Sequence, residues 1–443
     1  MKPPLEGEGE VFLYLEPFPQ EADRLRFSIE GISAVKDDDT AFPLSMSLHE
    51  FKSRDMKRQR LIASGKLPPG NYTGLSFKVK NASLKVEDGE AALLVPQEAV
   101  QIDFSFSVKK KKSYVISLTF NYSKSIRERF SFSPVFSISI PEKPLASLLG
   151  YVACYDSNNI IVFDKRAIRV VGVIATGEGP RGIALAQELR RAYVTLSGDD
   201  IIEVIDTAAG EVIHRIRLNT GDKPQEPALT PDGTLLLTAN TGSNTVSVID
   251  TKSLIELSRI NVGDGPNSIL IDPAGRRAYA FNILSSTITV IDIANKSVAA
   301  TISTEPAPLR GQFNRKGDKL YIIHEWSSYM AVIDPLSLSA LDKISVGMGM
   351  SSIKVDTNTD MFYVGRKHDT IVKVYNPFLL EPVDYLEAGE GPTYMTIDGE
   401  ENNLYLVIPE TKTLMLINIP SKKVVSEIDV CEGPYWVTLM GER

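Results

Sequence analysis

The sequence predicts an all-β protein with two parts, a β-sandwich followed by a seven-bladed β-propeller that the C-terminal strand closes. The main observation is a phrase of two apolar residues and an Asp or Asn that recurs seven times along the chain. The phrase ends at Asp164, Asp206, Asp250, Asp292, Asp334, Asn376 and Asn418. Its spacing is 42 residues, apart from one interval of 44. Each unit also holds four short β-type runs, and this combination is typical of propeller blades.

The fourth unit shows the four runs of a blade most clearly. They cover residues 268–271, 278–281, 287–291 and 298–302 and are rich in Thr, Val, Ile and Tyr. Turn-forming residues stand at each junction, as antiparallel strands require. A Gly-Pro step recurs between units. Proline fixes φ and glycine permits a positive φ, and this combination suits a chain that crosses from one blade to the next. These steps are Gly179-Pro180, Gly265-Pro266, Gly391-Pro392 and Gly433-Pro434.

The two ends of the repeat predict how the propeller closes. The first unit begins at Tyr151, which aligns with the second strand at Tyr193, so its innermost strand is missing. The chain ends in an unpartnered first strand at residues 435–440. We therefore expect the C-terminal strand to complete blade 1 and cover a strand edge that would otherwise be open. The 44-residue interval places a two-residue insertion at residues 218–222, in the loop after blade 2.

Residues 150–443 resemble the YVTN-type repeats of bacterial and archaeal surface-layer propellers. The resemblance rests on stretches such as residues 265–269 (GPNSI), 278–282 (AYAFN) and 243–251 (SNTVSVIDT), repeated in seven-fold form. It implies an exported protein that works by surface display and protein contact. Blades 5 and 6 depart most from the pattern, at residues 326–329 (WSSY) and 374–376 (VYN), so specialised loops are expected there.

The N-terminal third predicts a separate β domain. Residues 1–9 are interpreted as a flexible polar tether, residues 10–140 as an immunoglobulin-like β-sandwich, and residues 141–149 as a linker. The support for the sandwich is a series of short runs that alternate apolar and polar residues between turn signals. The paired cysteines of antibody domains are absent, so the strand topology stays open. A small sandwich before a seven-bladed propeller also resembles a two-domain leptospiral surface antigen.

Composition and charge narrow the function classes. The net charge of −8 divides into +2 for residues 1–145 and −10 for the remainder. An acidic propeller argues against nucleic-acid binding, which needs cations to neutralise phosphates. The basic run Lys109 to Lys112 is predicted to be a solvated hairpin tip, with a phosphate or lipid headgroup site as the alternative. No cofactor or metal motif is found, so no cofactor is expected.

The sequence gives only indirect signals about the compartment. The apolar runs have strand length, so no transmembrane segment is expected. The first nine residues lack the apolar core of a signal peptide. Export is expected from the resemblance, to the periplasm, outer membrane or cell surface, with a lipid anchor encoded upstream as one route. A monomer is expected.

A binding face is predicted from the position ten residues before each phrase-ending Asp or Asn. This position ends the second strand and, by blade topology, shares one face with the Gly-Pro loops. Because blades 5 and 6 place polar and aromatic residues there, we expect them to form a polar pocket with residues that start the inner strands. The predicted face consists of Arg310, His324, Glu325, Trp326, Arg366, His368, Tyr394 and Trp436. Ordinary solvated loops are the alternative.

The two cysteines are predicted to be neighbours in space. Cys154 ends the second strand of blade 1, and Cys431 lies in the loop that delivers the closing strand to the same blade. A disulfide would latch the closure of an exported chain. The expected register pairs Cys154 with Tyr435, which puts Cys431 four residues away, so two separate thiols are the expectation and the disulfide is the alternative.

The leading hypothesis for function is an exported, non-enzymatic binding protein that presents a propeller face to a protein partner. The runner-up is an enzyme similar to propeller lactonases or cyclases, acting at the axial mouth. In that case His324, Glu325 and Arg366 would carry the acid–base chemistry. A third hypothesis, an accessory of a periplasmic redox or metal pathway, has no motif in its favour.

Overall fold

A computed structural model describes residues 3–87, 89–128, 130–379, 381–400 and 402–442 of the chain. The architecture is all-β, with an N-terminal β domain and a seven-bladed propeller. The predicted tether falls partly on Met1 and Lys2, which lie outside the described residues. The first strand begins at Gly9, and the first propeller strand begins at Leu149.

The N-terminal domain is built from twelve described strands and short helical turns. The strands are β1 Gly9–Leu15, β2 Leu25–Lys36, β3 Ala41–Met46, β4 Glu50–Lys52, β5 Arg60–Leu67, β6 Gly70–Val86, β7 Gly89–Leu93, β8 Val100–Val108, β9 Ser113–Phe120, β10 Ile126–Arg127, β11 Ser131–Phe132 and β12 Phe136–Ser139. A helical turn, α1, covers Tyr122–Ser125, and 3-10 turns cover Gln20–Ala22, Ser53–Asp55 and Ala146–Leu148. The run Lys109 to Lys112 joins β8 to β9, but these strands do not pair with each other, because β8 pairs with β6 and β9 pairs with β1 and β12. The run is therefore a loop between strands and not the predicted hairpin tip.

The immunoglobulin-like topology predicted for this domain is not confirmed. Ten of the strands form one curled mixed sheet in the order β12-β9-β1-β5-β3-β2-β6-β7, with β4 paired to β2 and β8 paired to β6. An immunoglobulin sandwich has two separate sheets, whereas β3 joins the two halves here. Its residues 41–44 pair with β2, and its residues 45–46 pair with β5. Strands β1 and β9 are parallel, which gives the sheet its mixed character.

The propeller has seven four-stranded antiparallel sheets, as predicted. Blade 1 consists of β13 Leu149–Cys154, β14 Asn159–Asp164 and β15 Arg169–Ala175, with β40 Pro434–Leu439 as its innermost strand. Blade 2 consists of β16 Pro180–Ala186, β17 Arg191–Leu196, β18 Ile201–Asp206 and β19 Glu211–Arg217. Blade 3 consists of β20 Pro224–Leu229, β21 Leu235–Asn240, β22 Thr245–Asp250 and β23 Ile255–Asn261. Blade 4 consists of β24 Pro266–Ile271, β25 Arg277–Asn282, β26 Thr287–Asp292 and β27 Ser297–Ser303. Blade 5 consists of β28 Pro308–Phe313, β29 Leu320–His324, β30 Tyr329–Ile333 and β31 Ala340–Ser345. Blade 6 consists of β32 Met350–Val355, β33 Phe362–Arg366, β34 Ile371–Tyr375 and β35 Pro382–Glu387. Blade 7 consists of β36 Tyr394–Ile397, β37 Asn403–Ile408, β38 Thr413–Asn418 and β39 Lys423–Asp429. The pairing of β40 with β13 confirms closure by the C-terminal strand.

The recurring Asp or Asn caps the turn that follows the third strand of every blade. In blade 1, Asp164 accepts hydrogen bonds from the backbone N–H groups of Arg166 and Ala167, at 2.9 and 3.0 Å. The other six residues of the phrase accept a backbone N–H in the same way. The phrase is therefore scaffold, because a short carboxylate or amide satisfies turn N–H groups that the sheet leaves free. The described residues contain no cluster of potential ligands that could hold a metal ion.

Cys154 and Cys431 form a disulfide, so the expectation of two separate thiols is wrong. Their Cα atoms are 5.9 Å apart. The reason lies in the register, because a bulge between Ala153 and Cys154 pairs Cys154 with Pro434 and shortens the expected distance by one residue. Gly433 then turns the chain at a φ of +61°, a conformation that favours glycine. A disulfide indicates an oxidising compartment. No helix in the described part of the chain is long and apolar enough to cross a membrane.

The N-terminal domain packs against blades 1 and 7. Phe12, Tyr14 and Val115 belong to the same apolar core as the disulfide and the inner strands of these blades. On the outer strand of blade 1, the Val170 N–H donates to the Gln59 side chain at 2.8 Å. The domain therefore lies beside the point at which the propeller closes.

Candidate functional site at the axial mouth

The ends of the second strands and the Gly-Pro loops lie on one face of the propeller, as predicted. In five blades, the residue that follows the second strand donates its backbone N–H to the residue that precedes the Pro or Met of the inner strand. These bonds join Tyr155 to Gly433, Ser197 to Gly179, Ile283 to Gly265, Glu325 to Ala307 and Lys367 to Gly349, at 2.8–3.0 Å. We call this face the top face. The turns after the first and third strands lie on the opposite face.

The predicted face divides into two clusters, one at the axis and one in the loops of blades 5 and 6. At the axis, the Arg310 guanidinium carbon lies 5.0 Å from the centre of the Tyr394 ring and 5.8 Å from that of Trp436. The centres of these two rings are 3.7 Å apart. The loop cluster contains His324, Glu325, Trp326, Arg366 and His368. The structure therefore brings the inner-strand residues together, but the loop residues find other partners.

Arg310 forms a buried ion pair across the channel with Glu226 of blade 3. Its Nε and Nη2 donate to one Glu226 oxygen at 2.8 and 2.5 Å. The exposed fractions are 7% for Arg310 and 3% for Glu226. Burial lowers the pKa of Arg310, but the Glu226 carboxylate together with Tyr435 and Tyr394 outweighs that effect and leaves the pKa raised. The guanidinium therefore stays charged inside the channel.

Three further acceptors complete the surroundings of Arg310. Nη1 donates to the carbonyl oxygens of Ser351 and Thr393, at 2.9 and 2.7 Å. Nη2 also donates to the Tyr435 hydroxyl at 3.2 Å. Residues from blades 1, 3, 5, 6 and 7 thus meet at the Arg310 side chain.

Arg181 lies at the same mouth but has no carboxylate partner. Its guanidinium carbon lies 4.4 Å from the ring centre of Tyr155 and 4.4 Å from that of Tyr435. None of the ion pairs among the described residues includes Arg181, and its buried Nε has no hydrogen-bond partner. Two tyrosines therefore hold a half-buried cation that is not neutralised by direct contact.

The sequence reasoning missed Arg181 and Glu226, although a signal for them was present. Arg181 directly follows Pro180, as Tyr435 follows Pro434. Glu226 stands two residues after its Pro, which is the offset of Arg310, Tyr394 and Trp436. Because the blades are repeats, the same offset places a side chain at the axis in each blade.

His324 is a buried, neutral histidine that holds its loop together. It is fully buried, with Nε2 2.8 Å from the Thr304 hydroxyl and Nδ1 3.1 Å from the Tyr329 carbonyl oxygen. Burial lowers its pKa to about 4. The equivalent residues of blades 3 and 4, Asn240 and Asn282, are also buried and donate to the hydroxyls of Thr245 and Thr287 at the start of the third strands. His324 therefore makes the kind of hydrogen bond that an asparagine side chain makes at the same position of blades 3 and 4.

The remaining loop residues are exposed or paired locally. Glu325 forms an ion pair with Lys367, and Arg366 forms one with Asp369. His368 is exposed, and Trp326 is 54% exposed. Three other large apolar side chains are exposed in loops or at strand ends on the top face of blades 4 to 6. Together these four, Leu284, Trp326, Tyr329 and Met348, form what we call the blade 4–6 apolar patch.

Comparison with known proteins finds a family model that is similar to part of the propeller. Residues 151–361 match the model of the YNCE-like β-propeller family. None of the curated proteins compared with the chain matches it.

Solved structures share the fold at low sequence identity. A functionally unknown protein from Desulfotomaculum acetoxidans is 16% identical, with a TM-score of 0.60, and the match covers 66% of this chain and 99% of that one. A protein from Bacteroides fragilis proposed to be a 6-phosphogluconolactonase is 15% identical, with a TM-score of 0.58, and the match covers 67% and 99%. Hydrazine synthase from Kuenenia stuttgartiensis is 17% identical, with a TM-score of 0.52, and the match covers 64% and 93%. From about residue 150, the chain therefore carries a seven-bladed β-propeller, and residues 151–361 of it are similar to the YNCE-like family.

Proposed function

We propose that the protein is an exported, non-enzymatic binding protein that presents the top face of blades 4 to 6 to a protein partner. The observation that carries this proposal is the blade 4–6 apolar patch. Its exposed fractions are 68% for Leu284, 54% for Trp326 and 58% for Met348. Large apolar side chains grouped among charged loops are typical of protein contact sites, and Trp and Tyr are frequent among residues that dominate binding energy.

The surroundings of the patch suit a contact with a polar rim. The Glu325–Lys367 pair lies next to Trp326, and Glu305 pairs with Lys343 below the same loop. Such a rim contributes orientation and selectivity more than affinity. The disulfide supports an oxidising location, and we place the protein in the periplasm, at the outer membrane or on the cell surface.

Lactone chemistry has weaker support in the geometry. Of the three candidate catalytic residues, His324 is buried and bonded on both ring nitrogens, and Glu325 and Arg366 are each in an ion pair. None of the three lies at the axis. The likeness to proteins assigned as lactonases is at the level of the fold.

A capture experiment with matched variants tests the binding proposal. The wild-type protein, a Leu284→Ser/Trp326→Ser variant and a Leu336→Ser/Phe378→Ser variant would each be immobilised and exposed to an envelope extract. Leu336 and Phe378 are 78% and 87% exposed on the opposite face, so they control for a general loss of surface hydrophobicity. We expect one partner to be retained by the wild type and the control but lost from the top-face variant.

Two outcomes would contradict the proposal. Equal retention by all three proteins would show that the blade 4–6 apolar patch is not the contact. Turnover of a lactone that is lost in His324→Asn, with thermal stability preserved, would overturn the non-enzymatic part.

A further inference from the structure

The axial mouth is lined by the residue that follows the Pro, or the equivalent Met350, at the start of each blade's inner strand. This ring consists of Arg181, Gln225, Asn267, Leu309, Ser351, Thr393 and Tyr435, and six of its seven members are polar. The pairing register shifts at these positions in blades 2 to 6. Because bulges re-aim side chains, repeated bulges around the axis favour a built site over a chance grouping.

The charge of the mouth is unbalanced. Arg181 and Arg310 contribute two positive charges, and Glu226 contributes one negative charge that is bonded to Arg310. Tyr435 contacts both cations, since its ring stacks on Arg181 and its hydroxyl accepts from Arg310. One positive charge is therefore left over at the half-buried Arg181, where an anion would interact more strongly than at a fully exposed side chain.

The polar atoms of the ring that have no partner can supply hydrogen bonds but find no acceptor. Arg181 Nε, Asn267 Nδ2 and Thr393 Oγ1 are buried without a hydrogen-bond partner. The two nitrogens can only donate, and the threonine hydroxyl can donate as well. Unsatisfied buried donors are costly, and native proteins normally provide an acceptor for them. A ligand that satisfies these donors would therefore carry a negatively charged oxygen that accepts hydrogen bonds.

We propose that the axial mouth of the top face binds an oxyanion, a carboxylate or phosphate group, with Arg181 as its direct ligand and Asn267 and Thr393 as further donors. Tyr155 and Tyr435 hold the Arg181 guanidinium between their faces, so its nitrogen edge is ordered before the ligand arrives. Such an edge matches two oxygens of one oxyanion. This site is separate from the blade 4–6 apolar patch, so the two proposals can fail independently.

The two tryptophans of the chain provide a direct readout. A Trp326→Phe background leaves Trp436, which stacks on Tyr394 beside Arg310, as the single fluorophore. Inorganic phosphate and glutarate would be titrated separately, with chloride holding the ionic strength constant. We expect a saturable change in Trp436 emission with at least one of them. The response to each probe distinguishes a phosphate from a carboxylate ligand.

Variants at the mouth decide whether Arg181 is the ligand. Arg181→Met should weaken binding about 10- to 100-fold, the usual effect of losing a charge-assisted hydrogen bond. Arg181→Lys keeps the positive charge but loses the paired N–H donors of the guanidinium. Its affinity should therefore lie between those of the wild type and Arg181→Met. Arg276→Met is the matched control, because Arg276 is exposed in a turn on the opposite face.

Asn267→Ala covers the case in which Arg181→Met does not fold. Asn267 Nδ2 has no partner in the protein, so its removal breaks no internal bond and should still weaken binding about 5-fold or more. No saturable response to either anion would overturn the proposal. So would dissociation constants unchanged in Asn267→Ala and in a folded Arg181→Met.

Discussion

Arg60 of the N-terminal sheet and Asp429 of blade 7 form an ion pair in which Arg60 Nε lies 2.7 Å from Asp429 Oδ2. The same carboxylate accepts the Leu61 N–H at 3.2 Å and approaches Arg58 Nη2 at 3.1 Å. The Tyr14 hydroxyl donates to the Asp429 carbonyl oxygen at 3.3 Å. Asp429 of the last propeller blade thus contacts β1, β5 and the residue Arg58 just before β5.

This relationship predicts that Asp429→Ala loosens the contact between the two domains. Removal of the carboxylate leaves Arg60 Nε and the Leu61 N–H without their acceptor and leaves Arg58 paired with Glu427 alone, and the loss should be about 2 kcal/mol. Denaturant unfolding would measure it, and limited proteolysis at residues 141–145 should become faster. Asp384→Ala is the control, because Asp384 pairs with Lys422 inside the propeller and should cost less than about 1 kcal/mol. Equal effects of the two variants would contradict this assignment.

The disulfide predicts a redox-dependent stability. It links residues 277 apart in sequence, and chain entropy alone gives such a bond about 6 kcal/mol at most. We expect a reductant to lower the unfolding temperature of the wild type, and Cys154→Ala/Cys431→Ala to show the lower temperature from the start. The double variant should not respond to the reductant, which separates loss of the bond from general effects. If a reductant left the unfolding temperature of the wild type unchanged, the stabilising role of the disulfide would be contradicted.

The propeller was predictable because each blade repeats the same local pattern. The phrase ending at Asp164 marks a third strand and its cap, and the unpartnered strand at Pro434–Leu439 marks the closure. The N-terminal domain was less predictable, since alternation assigns faces to strands but not partners. The parallel pairing of β1 with β9 joins strands that are far apart in sequence, and β3 pairs with both β2 and β5. No local sequence pattern specifies this set of partners.

The candidate site was predictable in part for the same reason. The repeat offset found Arg310, Tyr394 and Trp436, which do meet at the axis. It also suggested that His324 faces a pocket, whereas burial and bonding to Thr304 turn that side chain inward. The register at Cys154 was misjudged because a one-residue bulge is invisible in sequence.

His324 predicts a pH dependence of stability. The folded protein keeps this histidine neutral down to a pKa of about 4, whereas its ordinary pKa is 6.5. The unfolded chain therefore binds more protons between these values, and stability falls as the pH falls from 6.5 to 4, by on the order of 3 kcal/mol. The decrease should be smaller in His324→Asn, a residue that blades 3 and 4 use at this position. His368→Asn, at an exposed site, should keep the wild-type slope, and the same slope in all three proteins would contradict the assignment.

The Arg310–Glu226 pair predicts strong coupling across the channel. Glu226→Gln leaves a buried guanidinium without its counter-charge and should cost about 3 kcal/mol or more, because the Arg310 charge stays desolvated. Arg310→Met should also destabilise, since the Ser351 and Thr393 carbonyl oxygens lose their donor. In the double variant neither charge remains, so its loss should be smaller than the sum by about 2 kcal/mol. Denaturant unfolding of the four proteins measures this coupling, and strict additivity would show that the pair does not hold the blades together.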